Sequence, residues 1–223
     1  MPAFAQPTFD AQMKRYSAID PAKATPADCD SGVGKAEALN AFDLFAAALT
    51  CLAAKKPVEG DFLFAAGQTR AMADMMLMKP ATESDMEPAS SLYGLIFYRF
   101  GGPGDDTILK DSQATARMLA MFDAWNPRLA VDYDPGWKAS QRPDLAAYQS
   151  SIDMNRSHRR KQLVAIARAY SDPEYYSAQK QFEKLQARTG AFVEGTPESA
   201  EADRLQRLMT DRAKALGIDF GGD

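Results

Sequence analysis

Apolar residues recur at spacings of three and four along most of this chain, the period of a helix that buries one face. Phe42, Phe45, Leu49 and Leu52 form one such stripe and predict a helix over Lys35–Lys55, with Lys55 and Lys56 suited to its C-terminus and Pro57 stopping it. The stretch Asp61–Met78 is apolar almost all round, which marks a central, buried helix closed by Pro80. Leu92, Leu95 and Ile96 place a helix over Pro88–Phe100, and Met118, Met121, Phe122 and Trp125 place another over Ser112–Trp125. Three more follow over Ser157–Ser171, Pro173–Arg188 and Pro197–Leu216. The last of these opens on Thr196 as cap with Pro197 at the first helical position, and Gly217 ends it. A short helix over Phe9–Tyr16 completes a set of about eight.

Two stretches lack the helical period. Residues 17–34 hold Pro21, Pro26, Asp28, Asp30, Gly32 and Gly34 and read as a loop. Residues 127–155 hold Pro127, Pro135, Gly136 and Pro143, with a helical trace only at Leu145–Tyr148. Tyr133, Trp137 and Tyr148 argue against plain disorder there, and so long a loop in a compact domain is often functional. The pattern therefore predicts an all-α fold: a compact bundle of about eight helices, paired into αα-hairpins by short connectors, with no sheet. It reads as a single domain over residues 1–223, in which 127–155 can separate two helical sub-bundles.

Composition sharpens that picture. Val and Ile together number 11 of 223 residues while Ala alone supplies 39, the balance of helices rather than buried strands. No apolar run approaches the ~20 residues that cross a bilayer. A net charge of −4 with mixed signs disfavours nucleic acid and fits a basic protein partner better.

Candidate chemistry is sparse. Gly32-Val33-Gly34-Lys35 lacks the first glycine, the Ser/Thr and the preceding strand of a phosphate-binding loop. Asp132-Tyr133-Asp134-Pro135-Gly136 starts like a calcium loop, but Gly136 and Pro143 stand where further oxygen ligands are needed. His158 is the one histidine and sits in a cationic run, Arg156–Lys161, at an expected helix start, which suits a solvated face. Glu83, Asp85 and Glu87 read as loop solvation. No catalytic, cofactor or metal set is predicted. Gln68, Arg70 and Asp74 stand out, because they lie within the most apolar helix and Arg70 and Asp74, four apart, share a face and can pair. They read as a buried tie between helices, with a ligand site as the alternative. A candidate partner surface is formed by Asp105 and Asp106, beside Gly101–Gly104, together with Asp132, Tyr133, Asp134 and Trp137. Its alternative is that Tyr133 and Trp137 pack the loop down onto the helices. Cys29 and Cys51 are either one disulfide or two buried thiols. Ala3-Phe4-Ala5 before Gln6 looks like the end of an export signal, or else is a small-residue tail.

Within Leu49–Pro80, Cys51 near a helix end, Lys55, Phe62-Leu63, Gly67-Gln68, Arg70 and Asp74 together resemble small helical bacterial immunity proteins. Those proteins protect a cell from secretion-system toxins, several of them in the periplasm. The resemblance implies an exported, non-enzymatic inhibitor that occludes a toxin, and it implies no catalytic residue. Two other functions are expected as alternatives: a cell-envelope hydrolase using carboxylates and Arg70, and a helical adaptor or scaffold with a peptide groove.

Overall fold

The computed structural model describes residues 23–79, 106–137, 139–190 and 192–218. The expected helices over Phe9–Tyr16 and Pro88–Phe100, the Ala3-Phe4-Ala5 segment, the Gly101–Gly104 run and Asp105 lie outside the described residues. Among those described, the chain is all-helical, with eight helices and no strand. They are α1 (Pro26–Gly34), α2 (Ala41–Ala53), α3 (Pro57–Leu77), α4 (Asp106–Lys110), α5 (Ser112–Ala124), α6 (Leu145–Tyr170), α7 (Pro173–Thr189) and α8 (Pro197–Ala215).

The chain divides into two compact units, Met1–Arg160 and Lys161–Asp223, with the division inside α6 and segment 127–155 wholly within the first. In the first unit, α2 and α3 form an αα-hairpin, and α3 is its centre: residues 60–71 are buried without a break. Close approach between the two helices needs small residues. A Cβ on Gly67 would lie 2.9 Å from the Phe45 ring, and one on Gly60 2.8 Å from Leu52. Lys55 turns the hairpin in the left-handed region (φ 59°), a conformation that disfavours any side chain.

Residues 26–34, expected as loop, are helical. Thr25 caps α1 by accepting from the Asp28 N–H while the Asp28 carboxylate accepts from the Thr25 N–H, and Pro26 sits in the first turn. Nine residues rich in Gly, Ser and Asp do not hold a helix alone. Tertiary contacts hold this one. Cys29 is bonded to Cys51 of α2, and Gly32 packs so near Ala47 that a Cβ there would approach to 2.9 Å. The helix expected over Lys35–Lys55 consequently begins only at Ala41, capped by Asn40. Helix α6 starts twelve residues before its expected start at Ser157: Asp144 caps it by accepting from the N–H groups of Ala146 and Ala147 (2.9 and 3.1 Å). His158 is thus in the middle of a helix and not at its start.

In the second unit, α7 and α8 form another αα-hairpin over Ala178, Leu185, Ala202 and Leu205, flanked by Phe182, Phe192, Leu208 and Met209. Asp172 caps α7 and pairs with Arg212, whose hydrogen bond holds its carboxyl below the usual range, and Arg168 donates to the Leu216 carbonyl at 2.7 Å.

Candidate functional site

Helix α3 carries Arg70 and Asp74 one turn apart, both fully buried. Burial of two opposite charges requires polar partners, and each finds a different set. Arg70 donates to the carbonyls of Leu39 (2.6 Å), Arg128 (3.2 Å) and Glu37 (3.3 Å), and its guanidinium lies 4.8 Å from the centre of the Tyr133 ring. Asp74 accepts from Tyr133 Oη at Oδ2 (2.5 Å) and from Tyr148 Oη at Oδ1 (2.7 Å). The expected direct Arg70–Asp74 contact is replaced by Tyr133, which touches both. Among the described residues, no ion pair joins the two and Arg70 Nε has no hydrogen-bond partner.

Burial pushes the Asp74 carboxyl up to about 7, against the opposing pull of the two tyrosine hydrogen bonds and the Arg70 charge. Burial and the neighbouring Asp74 charge together raise both tyrosines, Tyr133 well above its ordinary range. Both therefore remain hydrogen-bond donors at physiological pH. Gln68 is buried as expected (5 % exposed), but it stands apart from this cluster, and its Oε1 accepts no hydrogen bond among the described residues.

The network fastens segment 125–144 to the α2–α3 hairpin. Trp125 Nε1 donates to the Ala36 carbonyl (3.1 Å), and the Asn126 N–H donates to the Glu37 carboxylate (3.2 Å). Trp137 Nε1 donates to the Met78 carbonyl (2.7 Å), with the ring edge-on to Phe42. Ser140 donates twice to the Lys79 carbonyl, and Asn40 donates to the Asp134 carbonyl. Tyr148 and Leu129 pack with Ala73, Met78 and Ile152. At the outer turn, the Arg142 guanidinium donates to the Ala130 and Val131 carbonyls together.

The sequence-predicted surface is divided by this arrangement. Tyr133 and Trp137 are not exposed aromatics: their polar atoms are engaged below the loop, and Trp137 is 7 % exposed. They serve as anchors, the alternative expected for them. Asp132 and Asp134 are exposed, with Asp134 Oδ1 closing a turn by accepting from the Gly136 N–H. Val131 stands beside them, 93 % exposed, and was not singled out by the sequence pattern. Asp106 is the first residue of α4, away in sequence from this turn. Tyr133 and Tyr148 were noted as aromatics, but no spacing signal linked them to Asp74, fifty-nine and seventy-four positions away.

Beside the segment lies an open cleft of about 740 Å³, lined by Asp123, Asn126, Arg128 and Leu129 on one side and by Leu145, Gln149, Asp153 and Arg156 of α6 on the other. A smaller one, about 350 Å³, is lined by Met76, Leu77, Lys79, Gln141, Pro143, Asp144 and Ala147. Neither has Arg70 or Asp74 in its wall. No cluster of three or more metal-ligating side chains occurs among the described residues, and none of their helices is long and apolar enough to cross a membrane. No protein-family model, curated protein or solved structure matches the chain.

Proposed function

We propose that the chain is an exported, non-enzymatic binding protein of the immunity type, which occludes a secreted toxin with the turn at Val131–Asp134. The observation that carries this reading is the way segment 125–144 is built. Its aromatic side chains, Trp125, Tyr133 and Trp137, point inward and hold it from beneath, while Val131, Asp132 and Asp134 face solvent on a backbone clamped at the surface by Arg142. A preorganised element loses little freedom on binding, which favours affinity. Its two carboxylates suit a partner with a basic active-site rim. The Cys29–Cys51 bond supports an oxidising compartment.

The test is the double charge reversal Asp132→Lys/Asp134→Lys, measured for binding to the toxin whose gene this reading expects beside that of the chain. Both side chains are exposed, so the fold and melting temperature should hold. Affinity should fall at least a hundredfold at low salt, and added salt should narrow the difference. Equal affinity of the two proteins would overturn the reading.

A cell-envelope hydrolase is the second reading, and the raised Asp74 carboxyl is the observation that favours it. Its complete burial weighs against that role, since a general acid must reach its substrate. Hydrolysis of cell-wall material that disappears in Asp74→Asn, with the fold retained, would establish it.

A further inference from the structure

Four residues of α6, Leu145, Gln149, Asp153 and Arg156, fall on one stripe of the helix and form a wall of the larger cleft. The stripe runs for about 16 Å at 1.5 Å per residue. A volume of about 740 Å³ is within the range of ligand sites. The charges are not balanced evenly. Asp153 pairs with Arg156 (3.0 Å) and Asp123 with Arg160 (2.7 Å), so each carboxylate beside the cleft already has its cation. Arg156 is further occupied by the Trp125 carbonyl (2.5 Å). Arg128 is different. No carboxylate among the described residues pairs with its guanidinium, although its main chain is fixed by the bond from Arg70 to its carbonyl. The cleft therefore offers one exposed guanidinium, unmatched by any carboxylate among the described residues and carried on a fixed main chain, beside the apolar Leu129 and the 61 %-exposed Leu145.

We propose that this cleft binds a carboxylate carried on an apolar body, with Arg128 as the anion receptor and Leu129 and Leu145 as the apolar contact. A guanidinium matches a carboxylate as two parallel N–H···O bonds. One unmatched positive charge suits a monoanion, and Asp123 and Asp153 repel a more highly charged ligand. The C-terminal residue of a peptide and a free small acid share this chemistry. The site is separate from the Val131–Asp134 turn, so neither proposal depends on the other.

The full chain is titrated with N-acetyl-leucine, followed by amide chemical shifts and calorimetry, with N-acetyl-leucinamide as the uncharged control. Saturable binding is expected, with shifts at residues 126–129 and 145–156, and at least tenfold weaker binding of the amide. Arg128→Ala should abolish binding, Arg128→Lys should restore part of it, and Leu145→Asp should weaken it at least tenfold. Both substituted side chains, Arg128 and Leu145, are exposed, so unchanged melting temperatures separate loss of the site from loss of the fold. Tighter binding of acetyl-Ala-Ala-Leu with a free C-terminus would identify a peptide end as the ligand, and equal binding a free acid. Shifts that do not saturate, equal affinity for the amide, or unaltered binding in Arg128→Ala would overturn the proposal.

Discussion

Replacing Asp74 with Asn isolates a single proton. In the folded chain the Asp74 carboxyl titrates near 7, against an ordinary value of 3.8, because it is enclosed between α3, Tyr133 and Tyr148. Below pH 4 it is protonated both folded and unfolded, so it adds no pH dependence. Between about 4 and 7 the folded form keeps a proton that the unfolded form releases, so raising the pH removes stability, by about 1.4 kcal/mol for each pH unit. Above 7 the loss is complete, and the full separation corresponds to about 4 kcal/mol. Asn is nearly isosteric, carries no proton to lose, and can still accept from one tyrosine and donate to the other. The assay is urea unfolding of both chains at pH 5, 6, 7 and 8. The unfolding free energy of wild type minus that of Asp74→Asn should fall steadily from pH 5 to 7 and level off by 8. Taking the difference cancels the other titrating groups, which the two proteins share. A difference that stays constant over pH 5–8, or one that rises, would refute the assignment of burial as the dominant influence on this carboxyl.

Three further outcomes are expected. Arg70→Met leaves the carbonyls of Leu39, Glu37 and Arg128 without their donor and Asp74 without its neighbouring charge, so chemical denaturation should show a loss of about 3–5 kcal/mol. Reducing Cys29–Cys51, which closes a separation of 22 residues, should lower stability by about 3 kcal/mol in melts with and without reductant, and amide exchange should accelerate first in α1. Lys55→Gly relieves the left-handed position between α2 and α3 and should stabilise the chain by up to about 1 kcal/mol in the same assay.

How far the sequence disclosed the fold depended on how each element is held. The apolar run of α3, the Thr196-Pro197 start and the opening of α7 at Pro173 were legible because burial pattern, cap chemistry and a proline in the first turn are all local, whereas Asp172 as the cap of α7 was not read. Helix α1 was not, although Thr25-Pro26-Ala27-Asp28 bears the same cap signature. Its Gly and Ser content argues for a loop, and what overrides that preference is the bond to Cys51 and the contact with Ala47, both distant in sequence. The early start of α6 was hidden likewise: Gln149, Ser150, Ser151, Asp153 and Asn155 dilute its apolar stripe, and only Tyr148 and Ile152 are fully enclosed in that stretch. At the site, burial of Arg70 and Asp74 followed from their place in α3, whereas their partners did not. Tyr133 and Trp137 could be read from sequence as anchors or as bait, and only their hydrogen bonds to Asp74 and Met78 distinguish the two.

Four of the eight described helices, α1, α3, α7 and α8, begin on proline: Pro26, Pro57, Pro173 and Pro197. Proline disfavours helical geometry in the residue before it, so these helices cannot grow backwards into their connectors. An insertion or deletion upstream of such a start is absorbed by the connector, and the face each helix presents to its neighbours stays in phase. Over evolutionary time, the linkers ahead of these four helices can therefore drift in length while the packed surfaces behind them keep their register.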